Sequence, residues 1–207
     1  VNQRVRTAVL ISGRGSNMVS LINAATAVDF PAAISLVLSN VPDAAGLAHA
    51  AGAGIEALAI DHRPFGRDRA AHEAALDAAL QARGIQLVCL AGYMRILTPF
   101  LVHAWADRML NIHPSLLPCF PGLHTHARAL QAGVKLHGCT VHWVTETMDA
   151  GPIVAQAAVP VLPEDTEETL AARVLAQEHI LYPLALRVAA GGGASSPDGN
   201  GFLRNPA

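Results

Sequence analysis

The chain has 207 residues, 52% of them hydrophobic and only 4% aromatic, with a formal net charge of −2. That length suits one large domain with a core of Ala, Val, Leu and Ile, and the near-neutral balance speaks against an electrostatic grip on nucleic acid. No apolar stretch is long enough to span a bilayer, no apolar leader opens the chain, and Cys89, Cys119 and Cys139 are odd in number without CxxC spacing, so a cytoplasmic protein with reduced thiols and no membrane contact is expected.

Taken in chain order, residues 7–12, 33–39, 55–60 and 86–91 are short β-rich runs, each separated from the next by a stretch of helical character. Such alternation predicts an α/β fold, Rossmann-like, with a mostly parallel sheet, helices on both faces and ligands gathered at the carboxyl ends of the strands. Directly after the first run stands the loop Ser12, Gly13, Arg14, Gly15, Ser16 and Asn17, followed by Met18, Leu21, Ile22 and Ala25 at helical spacing, with Ser16 as the expected N-cap. Glycines at a strand-to-helix junction let backbone N–H groups approach an anion, although the same junction often needs glycine only to turn. The loop is neither a dinucleotide fingerprint, since the third glycine is missing, nor a Walker loop, since no Gly-Lys-Ser/Thr follows.

Residues 107–112 form the end of another buried strand, which Pro114 stops, so Asn111 and His113 emerge together and point the same way. An Asn amide can hold an oxyanion, a His can move a proton near neutral pH, and an Asp can orient that His. The candidate Asp is Asp149, in the turn Met148, Asp149, Ala150, Gly151, Pro152. Both strand residues also fit a purely structural use, satisfying loop backbone groups near Pro114. No nucleophile accompanies them, which favours direct transfer between two bound substrates over a covalent acyl-enzyme.

His113, His124, His126, His137 and His142 crowd one stretch, yet they lack the HExxH or Cys/His spacing of zinc sites, so no metal is expected. His142 shares a strand face with Thr140 and has a bland reading as a hydrogen-bonding sheet residue. Residues 138–144 and 153–161, separated only by the Asp149 turn, should pair antiparallel. Asp165 to Glu168 has the pattern of a capping box opening a last helix that bends or ends near Pro183. On that helix Glu178 shares a face with Leu170, Val174 and Leu181, where a carboxylate needs a partner. A single domain is expected over residues 1–190, with residues 191–207 a structureless Gly- and Ser-rich tail.

The Asn111 and His113 pair ahead of a Pro-rich loop, then the Met148, Asp149, Gly151, Pro152 turn, resembles the signature of the folate-dependent formyltransferases, and the likeness runs from about residue 9 to 183. With the Gly13 loop included, the chain is similar to members that act on phosphoribosylglycinamide. The resemblance implies the formyltransferase fold and formyl transfer from 10-formyltetrahydrofolate to the amine of that substrate in purine biosynthesis, by a monomer or weak homodimer that uses no metal. It implies that Asn111, His113 and Asp149 are catalytic, that Gly15, Ser16 and Asn17 hold the substrate phosphate, and that Glu178 contacts the glycinamide. It further implies folate contacts from Met94, Arg95, Ile96 and Leu97, from Thr145, Glu146, Thr147 and Met148, and from Arg69, with Arg67 as a rival. Two positions depart from the pattern: Leu175, where relatives often carry Lys or Gln near the substrate, and Cys119, in place of a more usual Lys or Ser. The alternatives are hydrolysis of 10-formyltetrahydrofolate, with water replacing the amine, and a nucleotide-binding module without chemistry.

Overall fold

A computed structural model of the chain describes residues 4–191 and 202–204. The chain divides into two compact units, Val1–Leu110 and Asn111–Ala207. The first contains β1 (Val5–Ile11), α1 (Ser16–Ala25), β2 (Ala32–Ser39), α2 (Ala45–Gly52), β3 (Glu56–Ala59), α3 (Arg69–Ala82), β4 (Leu87–Leu90), α4 (Pro99–Ala104) and the start of β5 (Met109–His113). Its strand order is β3-β2-β1-β4-β5, with β1 parallel to both β2 and β4, and β2 parallel to β3. The reason lies in the residues: Val9, Leu10, Ile11, Leu36, Val37, Leu38, Val88 and Cys89 are buried on consecutive positions, as in a sheet covered on both faces. At the edge, β3 exposes Glu56 and Ala59.

The second unit holds the rest of β5, then α5 (Thr125–Ala132), β6 (Leu136–Trp143), β7 (Ile153–Pro160), α6 (Glu167–Ala190) and β8 (Phe202–Arg204). Here the order is β5-β6-β7-β8, with β6 and β7 antiparallel as expected. Their register pairs Thr140 with Gln156 and shifts between Val141 and His142. Helix α6 packs on both strands through Leu170, Val174, Leu181, Tyr182, Ala185 and Leu186.

Three expectations need correction. The last helix is capped by Thr166, whose hydroxyl accepts from Thr169 N–H while the Thr169 hydroxyl accepts from Thr166 N–H. Asp165 instead takes two hydrogen bonds from Arg173, at 2.7 and 2.8 Å, and one from Leu162 N–H. Nor does α6 end at Pro183: it continues to Ala190, because burial of Leu181, Tyr182, Ala185 and Leu186 outweighs one missing backbone bond. Finally, within the expected tail, Phe202–Arg204 form β8, parallel to Ala155–Ala157 of β7, where backbone groups of an edge strand accept a further strand. The remainder of that tail from residue 192 lies outside the described residues.

Candidate active site

In the first unit, the chain leaves β1 at Ile11 and turns into α1 through Gly15, which has φ 73° and is the N-cap. This displaces Ser16 from the expected cap to the first helical position. The turn passes through the left-handed region that glycine tolerates, and a Cβ there would meet Met18 Cε at 3.2 Å and Gly46 Cα at 3.3 Å. No side chain caps α1 and no acidic residue lies in its first turn, so the positive end of its dipole favours an anion there. A cleft of about 250 Å³ is lined by residues 12–17 together with Ala91, Gly92 and Met94. Gly15, Ser16 and Asn17 are thus brought together, and a phosphate suits both the shape and the chemistry.

The Ser12 hydroxyl donates to Asn40 Oδ1 at 2.6 Å and accepts from Met94 N–H at 2.8 Å, fixing the start of the segment from Met94 to Leu97. Arg69 Nη1 donates to the Ile96 carbonyl at 3.4 Å, and buried Glu73 accepts from Thr98 N–H at 2.8 Å and from its hydroxyl. Arg69 therefore touches the segment, whereas among the described residues no hydrogen bond joins Arg67 to it. Between these ties Met94 and Ile96 stay 69% and 64% exposed, which leaves apolar surface in the open.

In the second unit, β5 presents Asn111 and His113, and β6 presents His142. Asn111 Nδ2 lies 3.2 Å from His142 Nε2. His113 Nε2 is 3.1 Å from the Phe120 carbonyl oxygen, and its Nδ1 is 3.5 Å from Asp149 Oδ2. Both nitrogens of His113 thus face oxygen atoms, a loop carbonyl on one side and the Asp149 carboxylate on the other. Asp149, at φ 55°, also accepts from Gly122 N–H at 2.8 Å through Oδ2, while Oδ1 stands 3.8 Å from His142 Nε2. Burial is the main cause that lowers the His142 pKa from its usual value, with His113 adding to it, against the Trp143 carbonyl and Asp149, which raise it.

The loop after His113 is braced from the sheet. Leu117 N–H donates to the Thr140 hydroxyl at 3.0 Å, that hydroxyl donates to the Ser115 carbonyl at 2.7 Å, and Gln156 Nε2 donates to the Leu117 carbonyl at 2.9 Å. These bonds hold Phe120 and Gly122, the backbone partners of His113 and Asp149. On the other side of Asp149, the turn is set by Ala150 N–H donating to the Thr147 carbonyl at 3.3 Å, and Thr145, Glu146, Thr147 and Met148 are exposed. Glu178 is buried on α6 near Cys139 of β6, whose thiol is pushed well up by burial and by that carboxylate. Leu175, one turn earlier, is half-buried. His126 and His137 pair at 3.2 Å, and among the described residues no group of three His, Cys, Asp or Glu could hold a metal. Sequence reasoning missed the contact of His142 with Asn111 and the backbone roles of Phe120 and Gly122; only the pairing of β5 with β6 and the fold of the loop reveal them.

The family described as Formyl transferase matches residues 5–186, and the chain belongs to it. It is 45% identical over 178 residues to the phosphoribosylglycinamide formyltransferase of Escherichia coli (strain K12), covering 86% of this chain and 84% of that protein. The trifunctional purine biosynthetic protein adenosine-3 of Drosophila melanogaster is 47% identical over 194 residues, 93% of this chain, which spans 14% of that longer protein. Among solved structures, the phosphoribosylglycinamide formyltransferase from Brucella melitensis superposes with a TM-score of 0.87 at 57% identity, covering 92% of this chain and 97% of that one.

Proposed function

We propose that this chain transfers the formyl group of 10-formyltetrahydrofolate to the amine of phosphoribosylglycinamide, a step of purine biosynthesis. The observation that carries the reading is the Asn111, His113 and Asp149 group, with the carboxylate 3.5 Å from the imidazole and the amide two residues along the same strand. The amine attacks the formyl carbon and a C–N bond forms. The resulting oxyanion is held by an Asn111 N–H and by the His113 ring, which Asp149 and the Phe120 carbonyl orient. His113 and Asp149 then relay the proton lost by the amine to the folate nitrogen as its bond to the formyl carbon breaks. The remaining rate enhancement comes from holding two substrates together.

In this reading Gly15, Ser16 and Asn17 bind the phosphate and Glu178 binds the glycinamide. Folate contacts are assigned to Met94, Arg95, Ile96 and Leu97 with Arg69, and to Thr145, Glu146, Thr147 and Met148, which are exposed. The donor is already activated, so the reaction needs no metal. Cys89, Cys119 and Cys139 form no disulfide, which fits a cytoplasmic location, and we read the protein as a monomer or weak homodimer. No helix of the described residues is long and apolar enough to cross a membrane.

The test supplies both substrates and follows tetrahydrofolate and formylated glycinamide ribonucleotide together. The reading requires one of each per turnover and negligible folate release without the amine. Folate release with water alone would establish the hydrolase instead, and binding of the ribosyl substrate without release would leave a nucleotide-binding module.

A further inference from the structure

His142 is 2% exposed on β6, and its Nδ1–H donates to the Trp143 carbonyl at 2.9 Å. In a neutral ring the lone pair then resides on Nε2. Burial supports that neutral form. Nε2 faces Asn111 Nδ2 at 3.2 Å, with Asp149 Oδ1 farther off at 3.8 Å. An Asn side chain has one end that donates and one that accepts, and only the NH2 end can meet a bare imidazole lone pair.

We propose that His142 is a positioning residue for Asn111: by accepting one Nδ2–H it fixes the orientation of the amide and leaves the second Nδ2–H for the substrate oxyanion. Without this acceptor the amide can turn over and present Oδ1, which repels the developing negative charge where it should attract it. The shifted register between Val141 and His142 accompanies this placement on β6. The inference rests on the reading of Asn111 as an oxyanion donor, and the experiment separates the two.

Nitrogen NMR of the intact protein should show His142 as the Nδ1–H tautomer with Nε2 unprotonated at neutral pH; an Nε2–H ring would overturn the proposal. His142→Leu keeps bulk and removes the acceptor, so kcat should fall roughly tenfold while KM for both substrates changes little. His142→Gln, which restores an acceptor, should recover part of that loss. In an Asn111→Ala background His142→Leu should cost almost nothing more, because the effect passes through Asn111. Losses that multiply in the double variant, or wild-type kcat in His142→Leu beside an impaired Asn111→Ala, would overturn the positioning role alone. Wild-type kcat in Asn111→Ala would remove the reading of Asn111 itself, and this inference with it.

Discussion

Asp149 Oδ2 is shared between Gly122 N–H, at 2.8 Å, and the Nδ1 atom of His113, at 3.5 Å. One carboxylate oxygen thus ties the loop after β5 to the imidazole, and it does so from a residue at φ 55°, a region that Asp and Asn enter more readily than other side chains. Asp149→Asn should preserve both backbone conformation and a carbonyl oxygen for Gly122. Its melting temperature should stay within about 5 °C of the parent. A far larger drop would show that the charge supports the fold.

Gly15→Val places a β-branched side chain at φ 73° against Met18 and the Gly46 backbone, in the loop that lines the anion cleft. We expect the KM for phosphoribosylglycinamide to rise at least about tenfold, with affinity for the folate donor little changed. Titrating each ligand separately measures this. Equal weakening of both would assign the loop a structural role only.

Gly151 packs so closely that an added Cβ would lie 1.8 Å from the Trp143 carbonyl oxygen, beside the bond from Trp143 N–H to the Pro152 carbonyl. Gly151→Ala must therefore push apart the ends of β6 and β7 that carry the Asp149 turn. A loss of roughly 3 kcal/mol or more in urea denaturation is expected, since the clash is with backbone. Near-parental stability would mean that the turn relaxes freely.

Burial holds the His137 imidazole down at about 4, with neighbouring His126 adding to the effect. An unfolded His titrates near 6.5, so between these values the unfolded chain binds the extra proton. The contribution is fully present above about pH 6.5 and is lost as pH falls through 4. His137→Gln should flatten the acid limb of the stability curve by a few kcal/mol relative to the parent, read from denaturation midpoints between pH 7 and 4. Parallel curves would show that His137 does not titrate in this way.

Much of the fold is legible in the residues themselves. Buried runs such as Val9 to Ile11 and Leu36 to Leu38 read as parallel strands because both faces are covered, and Asn111 and His113 read as a pair because strand side chains repeat every two residues. Local chemistry misleads where tertiary geometry decides. Ser16 has the right side chain for an N-cap, but the close approach of Gly46 gives that position to Gly15. Pro183 looks like a stop, yet buried Tyr182 and Leu186 carry α6 past it. His142 meets Asn111 across 31 positions of sequence, a relation that no periodicity encodes.

The most direct test of the whole account is single-turnover formyl transfer by Asn111→Ala, His113→Ala and Asp149→Asn, with substrate affinities measured on the same proteins. Each should lose roughly 100-fold or more in rate while binding changes little, because an oxyanion donor or a proton carrier acts in the transition state. Asn111→Ala combined with Asp149→Asn should lose less than the product of the single losses, since both act on one transition state. A rate near that of the parent in either His113→Ala or Asp149→Asn, with affinity intact, would contradict the account and place the chemistry elsewhere.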